Sequence, residues 1–261
     1  MARPILEEEQ EDNNKEKIES LDGNIKLENV SFKYEENSPN VINNLNLDIK
    51  QGEYIGIVGK TGCGKSTIVR MLLGFEKPTE GHIYYDNKDI DTINLQSLRR
   101  NIGSVLQNGG IFHADILSNI LITAPDLTEK EAWEAAETAG ISEDIKNMPM
   151  GMRTVISEGQ GSISGGQKQR IMIARAIINK PKILIFDEAT SALDNKTQKS
   201  ISDSISDLKC TRIVIAHRLS TIKNCDRIIY MEDCTIKEEG TYQELIDRKG
   251  KFYELIERQR I

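Results

Sequence analysis

The stretch GKTGCGKST at Gly59–Thr67 decides the fold, because it is a glycine-rich loop between two different kinds of secondary structure. The run YIGIV at Tyr54–Val58 precedes it and is typical of a buried β-strand. The segment TIVRMLL that follows has helical spacing and stops at Gly74. Strand, glycine-rich loop and helix in this order fit the G-x-x-x-x-G-K-[ST] pattern of a phosphate-binding loop.

This loop predicts how a nucleoside triphosphate is held. Its glycines let backbone N–H groups turn inward around the phosphates, and the start of the next helix adds its positive end. Lys65 is expected to reach the β- and γ-oxygens, and the Ser66 hydroxyl is expected to bind Mg²⁺. The alternative for Cys63 is a small residue that the loop merely tolerates. The residues expected at the phosphates are Gly59, Thr61, Gly62, Cys63, Gly64, Lys65, Ser66 and Thr67.

The segments on both sides of the loop predict an α/β fold. NIKLENVSFKY, from Asn24, alternates apolar and polar residues and opens a β-rich region. The runs ILIF at Ile183–Phe186 and RIVIA at Arg212–Ala216 are nearly continuous, as in parallel strands buried on both faces. Between about 108 and 180 the spacing is helical, without a convincing strand. We therefore predict a P-loop NTPase (RecA-like) α/β core with an N-terminal antiparallel β subdomain and an inserted α-helical subdomain.

The first 22 residues are charged and aperiodic, so we expect a solvated linker there and folding that starts near Gly23. Residues 23–261 then form one domain, with the helical insert at about 108–180. No apolar run approaches the ~18–20 residues that a bilayer span needs, and the N-terminus has no signal sequence. These features predict a soluble, cytosolic chain.

Charge and cysteine content exclude several classes of protein. The chain has 34 basic and 41 acidic residues, a net charge of −7, and much of the acidic excess lies in residues 1–20. The remaining body is nearly balanced, which argues against a nucleic-acid-binding protein. The four cysteines are scattered without a C-x-x-C pair, which predicts reduced thiols rather than a zinc site or disulfides.

Two acids end the apolar strand ILIF, at the edge of the sheet where open α/β folds bind ligands. Asp187 is expected to face the metal ion. Glu188 is placed to orient or deprotonate the water that attacks the γ-phosphate. The alternative is that both acids only cap the next helix, and the presence of the phosphate loop favours the catalytic interpretation.

Three further side chains are candidates for the same site. His217 follows the strand RIVIA and could hydrogen-bond the γ-phosphate, or it could be a structural histidine. The amide of Gln107, after the apolar strand IGSVL, could bind Mg²⁺ or the attacking water. Tyr34 ends the first strand and offers a ring on which adenine can stack, although an ordinary strand aromatic is the alternative.

A second glycine segment, SISGGQKQR at Ser162–Arg170, also leads into a helix and also has the form of a phosphate-holding loop. With it, the chain resembles the nucleotide-binding domain of the ATP-binding cassette (ABC) family from about Asn24 to the C-terminus. SGGQ at Ser164–Gln167 resembles the family signature, with Ile163 where leucine is usual. In that family two domains pair head to tail, and each signature closes over the ATP held by the other chain.

The resemblance therefore implies ATP and Mg²⁺ as cofactors and a second copy of the chain as partner. It identifies Tyr34 with the adenine-stacking residue, and it makes Gln107 the Q-loop residue and His217 the switch histidine. Asp187 and Glu188 become the metal-binding acid and the catalytic base. SALD at 191–194 resembles the loop through which the two sites communicate. The residues that the resemblance adds to the nucleotide contacts are Ser164, Gly165, Gly166, Gln167 and Asp194.

A narrower resemblance concerns transport. SEGQG at 157–161 and IAHRLSTI at 215–222 look like exporter motifs. ARPIL, VLQNGGIF and TRIVIAHRLSTI are similar to exporters of bacteriocin and lantibiotic-type peptides, although NGG departs from the proline-containing segment usual there. This implies a motor domain for peptide export on the cytoplasmic side of a cell membrane, with a transmembrane domain ahead of the linker on the same chain.

Three other functions remain as alternatives. The first is export of drugs or lipids by the same kind of domain. The second is a DNA-repair or chromosome-organising ATPase, which would need a long coiled coil between the phosphate loop and the signature, where only about a hundred residues lie and no heptads are sustained. The third is a regulatory module without hydrolysis, which the presence of both Glu188 and His217 opposes.

Overall fold

The structure is a computed structural model that describes residues 11–12, 14–156, 163–187, 193–216 and 218–259, with only the backbone described at 195, 196 and 259. The strands are β1 (Ile25–Phe32), β2 (Ile42–Ile49), β3 (Tyr54–Gly59), β4 (Glu80–Tyr85), β5 (Lys88–Asp89), β6 (Ile102–Val105), β7 (Ala114–Asp115), β8 (Val155–Ile156), β9 (Ile183–Asp187), β10 (Thr211–Ile215), β11 (Arg227–Glu232) and β12 (Thr235–Gly240). The helices are α1 (Lys65–Leu72), α2 (Leu95–Arg100), α3 (Ile116–Leu121), α4 (Glu129–Thr138), α5 (Ser142–Lys146), α6 (Gly165–Ile177), α7 (Asn195–Ser206), α8 (Leu219–Ile222), α9 (Tyr242–Arg248) and α10 (Lys251–Gln259).

The central sheet has the strand order β12-β11-β3-β10-β9-β6 in the described residues. All neighbours pair in parallel except β12, which runs antiparallel to β11 at one edge. Every residue of β3 and β9 is buried, as their continuous apolar runs predict. Side chains alternate between two cores, so Tyr54 and Val58 of β3 lie in one apolar cluster and Ile55 and Ile57 in the other.

The N-terminal sheet is antiparallel, with the order β2-β1-β4-β5. Helix α1 and one face of this sheet share an apolar cluster with the central sheet. The hydroxyl of Tyr85 on β4, which is fully buried, donates to the carbonyl of Leu72 at the end of α1 over 2.5 Å. The predicted α/β core with an antiparallel β subdomain is therefore confirmed.

Helices α3 to α6 lie between β6 and β9 in the chain. Helix α6 packs on α3, α4 and β6, and its approach to β6 is so close that a Cβ atom on Gly103 would lie 2.1 Å from the carbonyl oxygen of Ala176. The expectation of no strand in this region is wrong in one detail, because β7 and β8 pair antiparallel. Each has only two residues, which is too short for a periodic pattern.

The chain begins to fold before Gly23, so the predicted boundary of the solvated segment is wrong. Ile18 and Leu21 are buried in the same cluster as α1. Glu16 pairs in parallel with Ile93, just ahead of α2. Two apolar residues three positions apart are too few to show periodicity, so the sequence did not reveal this contact. None of the helices in the described residues has the length and hydropathy that a membrane span requires.

We expect Leu21→Ala to lower the free energy of unfolding by about 2–5 kcal/mol, because it removes a side chain buried against the core. Urea denaturation of the purified domain measures this. Glu19→Ala, on the exposed side of the same segment, is the matched control and should change it by no more than about 0.5 kcal/mol. Equal stability of the two variants would show that residues 14–22 do not pack as described.

Candidate nucleotide site

The carboxyl ends of β3, β10, β9 and β6 lie side by side at one edge of the central sheet. Ile215 of β10 pairs with Ile57 of β3 on one side and with Asp187 of β9 on the other. The register of β6 aligns Val105 with Phe186 of β9. The phosphate loop follows β3, Asp187 ends β9 and Gln107 lies two residues beyond β6, so these residues come from distant parts of the chain to one edge.

The phosphate loop is shaped for an anion. Gly62 and Gly64 have φ of 82° and 95°, in the left-handed region that favours glycine. Gly64 is the N-cap of α1 and has no side chain, so the cap residue leaves the N–H groups of the first turn open. Lys65 is buried, and its Nζ donates to the carbonyls of Gly59 at 3.0 Å and Lys60 at 2.8 Å. The loop therefore combines open N–H groups with a fixed cation, which fits a bound phosphate chain.

Two contacts made by residues of the phosphate loop support this loop conformation. Lys60 forms an ion pair with Glu232 at the end of β11. Their hydrogen bond raises the pKa of Lys60 and lowers that of Glu232. The Cys63 thiol is buried, its Sγ lies 3.8 Å from the Lys65 Nζ, and burial raises its pKa. Sequence reasoning missed Glu232, because it lies 172 residues from Lys60 and no motif marks it.

Tyr34 stands beside the first turn of α1. Its hydroxyl lies 3.1 Å from Thr67 Oγ1, and its ring meets Phe32 edge-on with 4.9 Å between centroids. The residue is 55% exposed, so it is not a core aromatic of the strand. An exposed aromatic residue next to the phosphate loop favours the adenine-stacking interpretation over simple packing.

The residues assigned to Mg²⁺ lie at or just after the ends of three strands of the central sheet, β3, β9 and β6. Ser66 is exposed in the first turn of α1, Asp187 is buried as the last residue of β9, and Gln107 is exposed two residues beyond β6. The described residues hold no cluster of three or more His, Cys, Asp or Glu that would bind a metal on its own. This donor set suits Mg²⁺, which takes few protein ligands and completes its shell with phosphate oxygens and water.

Glu188 and His217 lie outside the described residues, as do the SEGQG motif and Ser191. Glu188 directly follows Asp187, and His217 directly follows Ala216 at the end of β10. Their assigned roles therefore stay predictions from the sequence.

The segment after Gln107 is anchored to the helices. Arg175 of α6 donates to the carbonyl of Gly110 at 2.9 Å, to that of Asn119 at 2.8 Å and to Asn119 Oδ1 at 2.7 Å. Its guanidinium also lies over the Phe112 ring, 5.1 Å from the centroid. Burial lowers the pKa of Arg175. These contacts join the segment after Gln107 to α6 and α3.

The second glycine segment starts α6 through a capping box. Ser164 is the N-cap, its Oγ accepts from the Gln167 N–H at 3.2 Å, and Gln167 Oε1 accepts from the Ser164 N–H at 2.8 Å. Ser164 and Gly165 are exposed. The S-x-x-Q spacing of this box was readable in the sequence, but the interpretation as a phosphate loop did not use it.

The end of the SALD motif is tied to the segment after β10. Asp194 accepts from the Thr197 N–H at 3.0 Å and from its hydroxyl at 2.6 Å, so its carboxylate caps α7. Arg218 Nη1 donates to the carbonyl of Leu193 at 2.6 Å. This bridge joins the residues after β9 to those after position 217, and no pattern in the sequence indicated it.

Comparison with known proteins identifies the family. The profile of the family described as "ABC transporter" matches residues 42–191, more than half of the chain. The chain belongs to the ABC transporter family. The resemblance to the ABC nucleotide-binding domain is thereby confirmed, and the family implies an ATP-binding domain.

Several ABC exporter proteins are similar over most of the chain. The leukotoxin export ATP-binding protein LtxB of Aggregatibacter actinomycetemcomitans is 43% identical over 238 residues, and the alpha-hemolysin translocation ATP-binding protein HlyB of Escherichia coli O157:H7 is 42% identical. The alignments cover 90% of this chain but 34% of each relative. A solved bacterial Atm1-family ABC exporter with ATP bound has a TM-score of 0.93 and 34% identity, covering 100% of this chain and 46% of its own.

We expect Tyr34→Ala to weaken ATP binding by about 1–3 kcal/mol, the contribution of a base stacked on an aromatic ring. Titration with ATP in a calorimeter measures this. Tyr34→Phe is the matched control, because it keeps the ring and loses only the hydroxyl bonded to Thr67. If Tyr34→Ala binds ATP as tightly as the parent, the ring has no stacking role.

Proposed function

We propose that the chain is the ATP-binding and ATP-hydrolysing motor domain of an ABC exporter. The observation that carries the proposal is the parallel order β3-β10-β9-β6, which brings the phosphate loop, Asp187 and Gln107 to one edge. Ligands of open α/β sheets bind outside the carboxyl ends of the strands, which is where these residues lie.

Each residue then has a defined task in hydrolysis. The loop backbone and Lys65 bind the phosphates, and Tyr34 holds the adenine. Mg²⁺ would be held by Ser66, Gln107 and Asp187, and when bound it neutralises charge on the phosphate oxygens.

The hydrolysis step is carried out by residues that are assigned from the sequence. Glu188 orients the attacking water and takes its proton, and His217 donates a hydrogen bond to the γ-phosphate. In-line attack needs the catalytic carboxylate on the side of the γ-phosphate opposite the phosphate loop. Strand β10 separates the end of β9, which precedes Glu188 in the sequence, from the end of β3, which precedes the loop. This separation supports the role proposed for Glu188.

We infer that the active unit is a head-to-tail pair of two copies. Ser164 and Gly165 at the start of α6 are exposed, so the N-terminus of this helix could meet the nucleotide of a partner. All the family motifs are intact in one sequence, which supports two equivalent sites and hence a homodimer. Asp194 would lie at the contact between the two sites.

The cargo that we propose is a secreted protein or peptide. The names of LtxB and HlyB assign those proteins to leukotoxin export and alpha-hemolysin translocation, and ARPIL, VLQNGGIF and TRIVIAHRLSTI resemble peptide exporters. A transmembrane domain on the same chain, joined through residues 1–22, would place this domain on the cytoplasmic face of the cell membrane. No observation in the described residues favours drugs or lipids instead.

A DNA-repair or chromosome-organising ATPase is disfavoured by the helical region. The longest helix that the structure describes between the phosphate loop and Ser164 is α4, with 10 residues. A coiled coil needs several heptads in continuous helices. A regulatory module without hydrolysis is opposed by the presence of both Glu188 and His217.

The test of catalysis is Glu188→Gln, which keeps the shape of the side chain but removes the proton acceptor. We expect hydrolysis to collapse while ATP affinity stays largely intact, so that ATP-bound pairs accumulate. Steady-state ATPase assays and light scattering with ATP and Mg²⁺ measure the two effects. Near-normal turnover in this variant would remove Glu188 from the role of base.

Pairing is tested by dilution. We expect ATPase activity per chain to rise with protein concentration, because a site shared by two chains exists only in the pair. Ser164→Arg should abolish turnover while the monomer still binds ATP, whereas Ser200→Arg, at an exposed position of α7, should leave turnover unchanged. Constant activity per chain down to the fully monomeric range would show that one chain hydrolyses ATP alone.

A further inference from the structure

Asp144 on α5 holds the start of α6 with both of its carboxylate oxygens. Its Oδ1 accepts from Gln167 Nε2 at 2.8 Å, and its Oδ2 accepts from Arg170 Nη1 at 2.8 Å. These partners lie 23 and 26 residues away in the sequence, so the contact comes from the tertiary structure. No motif that we identified in the sequence includes Asp144.

The contact with Gln167 decides which way its amide points. A carboxylate only accepts hydrogen bonds, so the amide must turn its Nε2 toward Asp144. Its Oε1 is then left to accept from the Ser164 N–H, at 2.8 Å. A flipped amide would set an NH₂ group against the Ser164 N–H and an oxygen against the carboxylate, which would lose both bonds.

The fixed amide in turn fixes Ser164. The Ser164 Oγ accepts from the Gln167 backbone N–H at 3.2 Å, which satisfies one of its acceptor positions. A hydroxyl also carries one proton to donate. Ser164 is exposed, so this proton can be donated to an acceptor outside the chain. A phosphate oxygen is such an acceptor, and it would also meet the helix N-terminus.

Arg170 strengthens the attachment of α6 to the neighbouring helices. Its Nη1 also donates to the carbonyl of Gly140 at 2.5 Å, and its side chain is 15% exposed. Burial by itself would raise the pKa of Asp144, but the hydrogen bonds from Gln167 and Arg170 outweigh it and lower the pKa. The carboxylate therefore stays ionised at neutral pH, and α4, α5 and α6 are held together at the end that carries Ser164.

We propose that Asp144 is a positioning residue for hydrolysis, which orients Gln167 and through it Ser164 toward the ATP on the phosphate loop of a second copy of the chain. The proposal rests on the proposed function in one respect, the two-chain site. The side-chain bonds described for Asp144 go to Gln167 and Arg170 of the helical region and not to the phosphate loop of its own chain, so its effect on hydrolysis requires a pair of chains.

The first test is Asp144→Ala in the Glu188→Gln background, where ATP-bound pairs are expected to persist because ATP is not hydrolysed. We expect the affinity of ATP-dependent pairing, measured by light scattering across a dilution series, to fall roughly 10-fold or more. The reason is that the hydrogen bonds from Gln167 and Arg170 to a charged carboxylate are lost. ATP affinity of the monomer should change less than about twofold. Glu143→Ala is the matched control, since the neighbouring Glu143 is exposed and pairs only with Lys146 among the described residues.

A second variant separates positioning from folding. Asp144→Asn keeps an oxygen that accepts from Gln167 but loses the charge opposite Arg170. We expect pairing to recover to within about threefold of the parent, although both Asp144 variants lose the ion pair. Urea denaturation of both variants shows whether a change in stability accounts for the difference. Pairing that is as weak with Asn as with Ala would overturn the route through Gln167.

A third measurement is independent of pairing. Hydrogen exchange of the Ser164 and Gln167 amides, followed by NMR in the monomer without ATP, should be at least tenfold faster in Asp144→Ala than in Glu143→Ala. Unchanged exchange would overturn the proposal even if pairing occurs. If exchange is faster in Asp144→Ala but the parent chain never pairs in the presence of ATP, the proposed function is contradicted. The positioning of Ser164 and Gln167 by Asp144 is then still upheld.

Discussion

The pairing of β10 with β3 on one side and β9 on the other is the constraint on which the rest of the site depends. Because all three strands run parallel, their carboxyl ends must meet at one edge. The phosphate loop after β3 and Asp187 at the end of β9 are thereby held on either side of the end of β10. Backbone hydrogen bonds between buried strands are costly to break, so this spacing is stable.

Helix α6 joins the helical region to this edge. The C-terminal half of α6 packs on β6, where Gly103 permits close approach, and its N-terminus presents Ser164. Arg175 ties the helix to the segment after Gln107, and Asp144 ties it to α5. Helix α6 therefore connects the segment after Gln107 with the segment that would face a partner's nucleotide.

Much of the fold was predictable because its segments are strongly periodic or carry a motif. The buried strands β3, β9 and β10 and helix α1 agree with the sequence patterns, and the family resemblance is confirmed. The packing of Ile18 and Leu21 and the β7–β8 pair were missed, since each involves too few residues for a pattern. The supporting contacts of Glu232, Arg218 and Asp144 were missed because each joins residues far apart in the chain.

The sequence by itself determined the chemistry of the chain. The glycines, Lys65 and Ser66 specify a phosphate loop through local backbone freedom and side-chain type, and these are properties of adjacent residues. Only the tertiary structure decided which strand ends lie together and how the amide of Gln167 points, because strand order and hydrogen bonds such as that from Gln167 to Asp144 join distant residues and arise only when the chain packs.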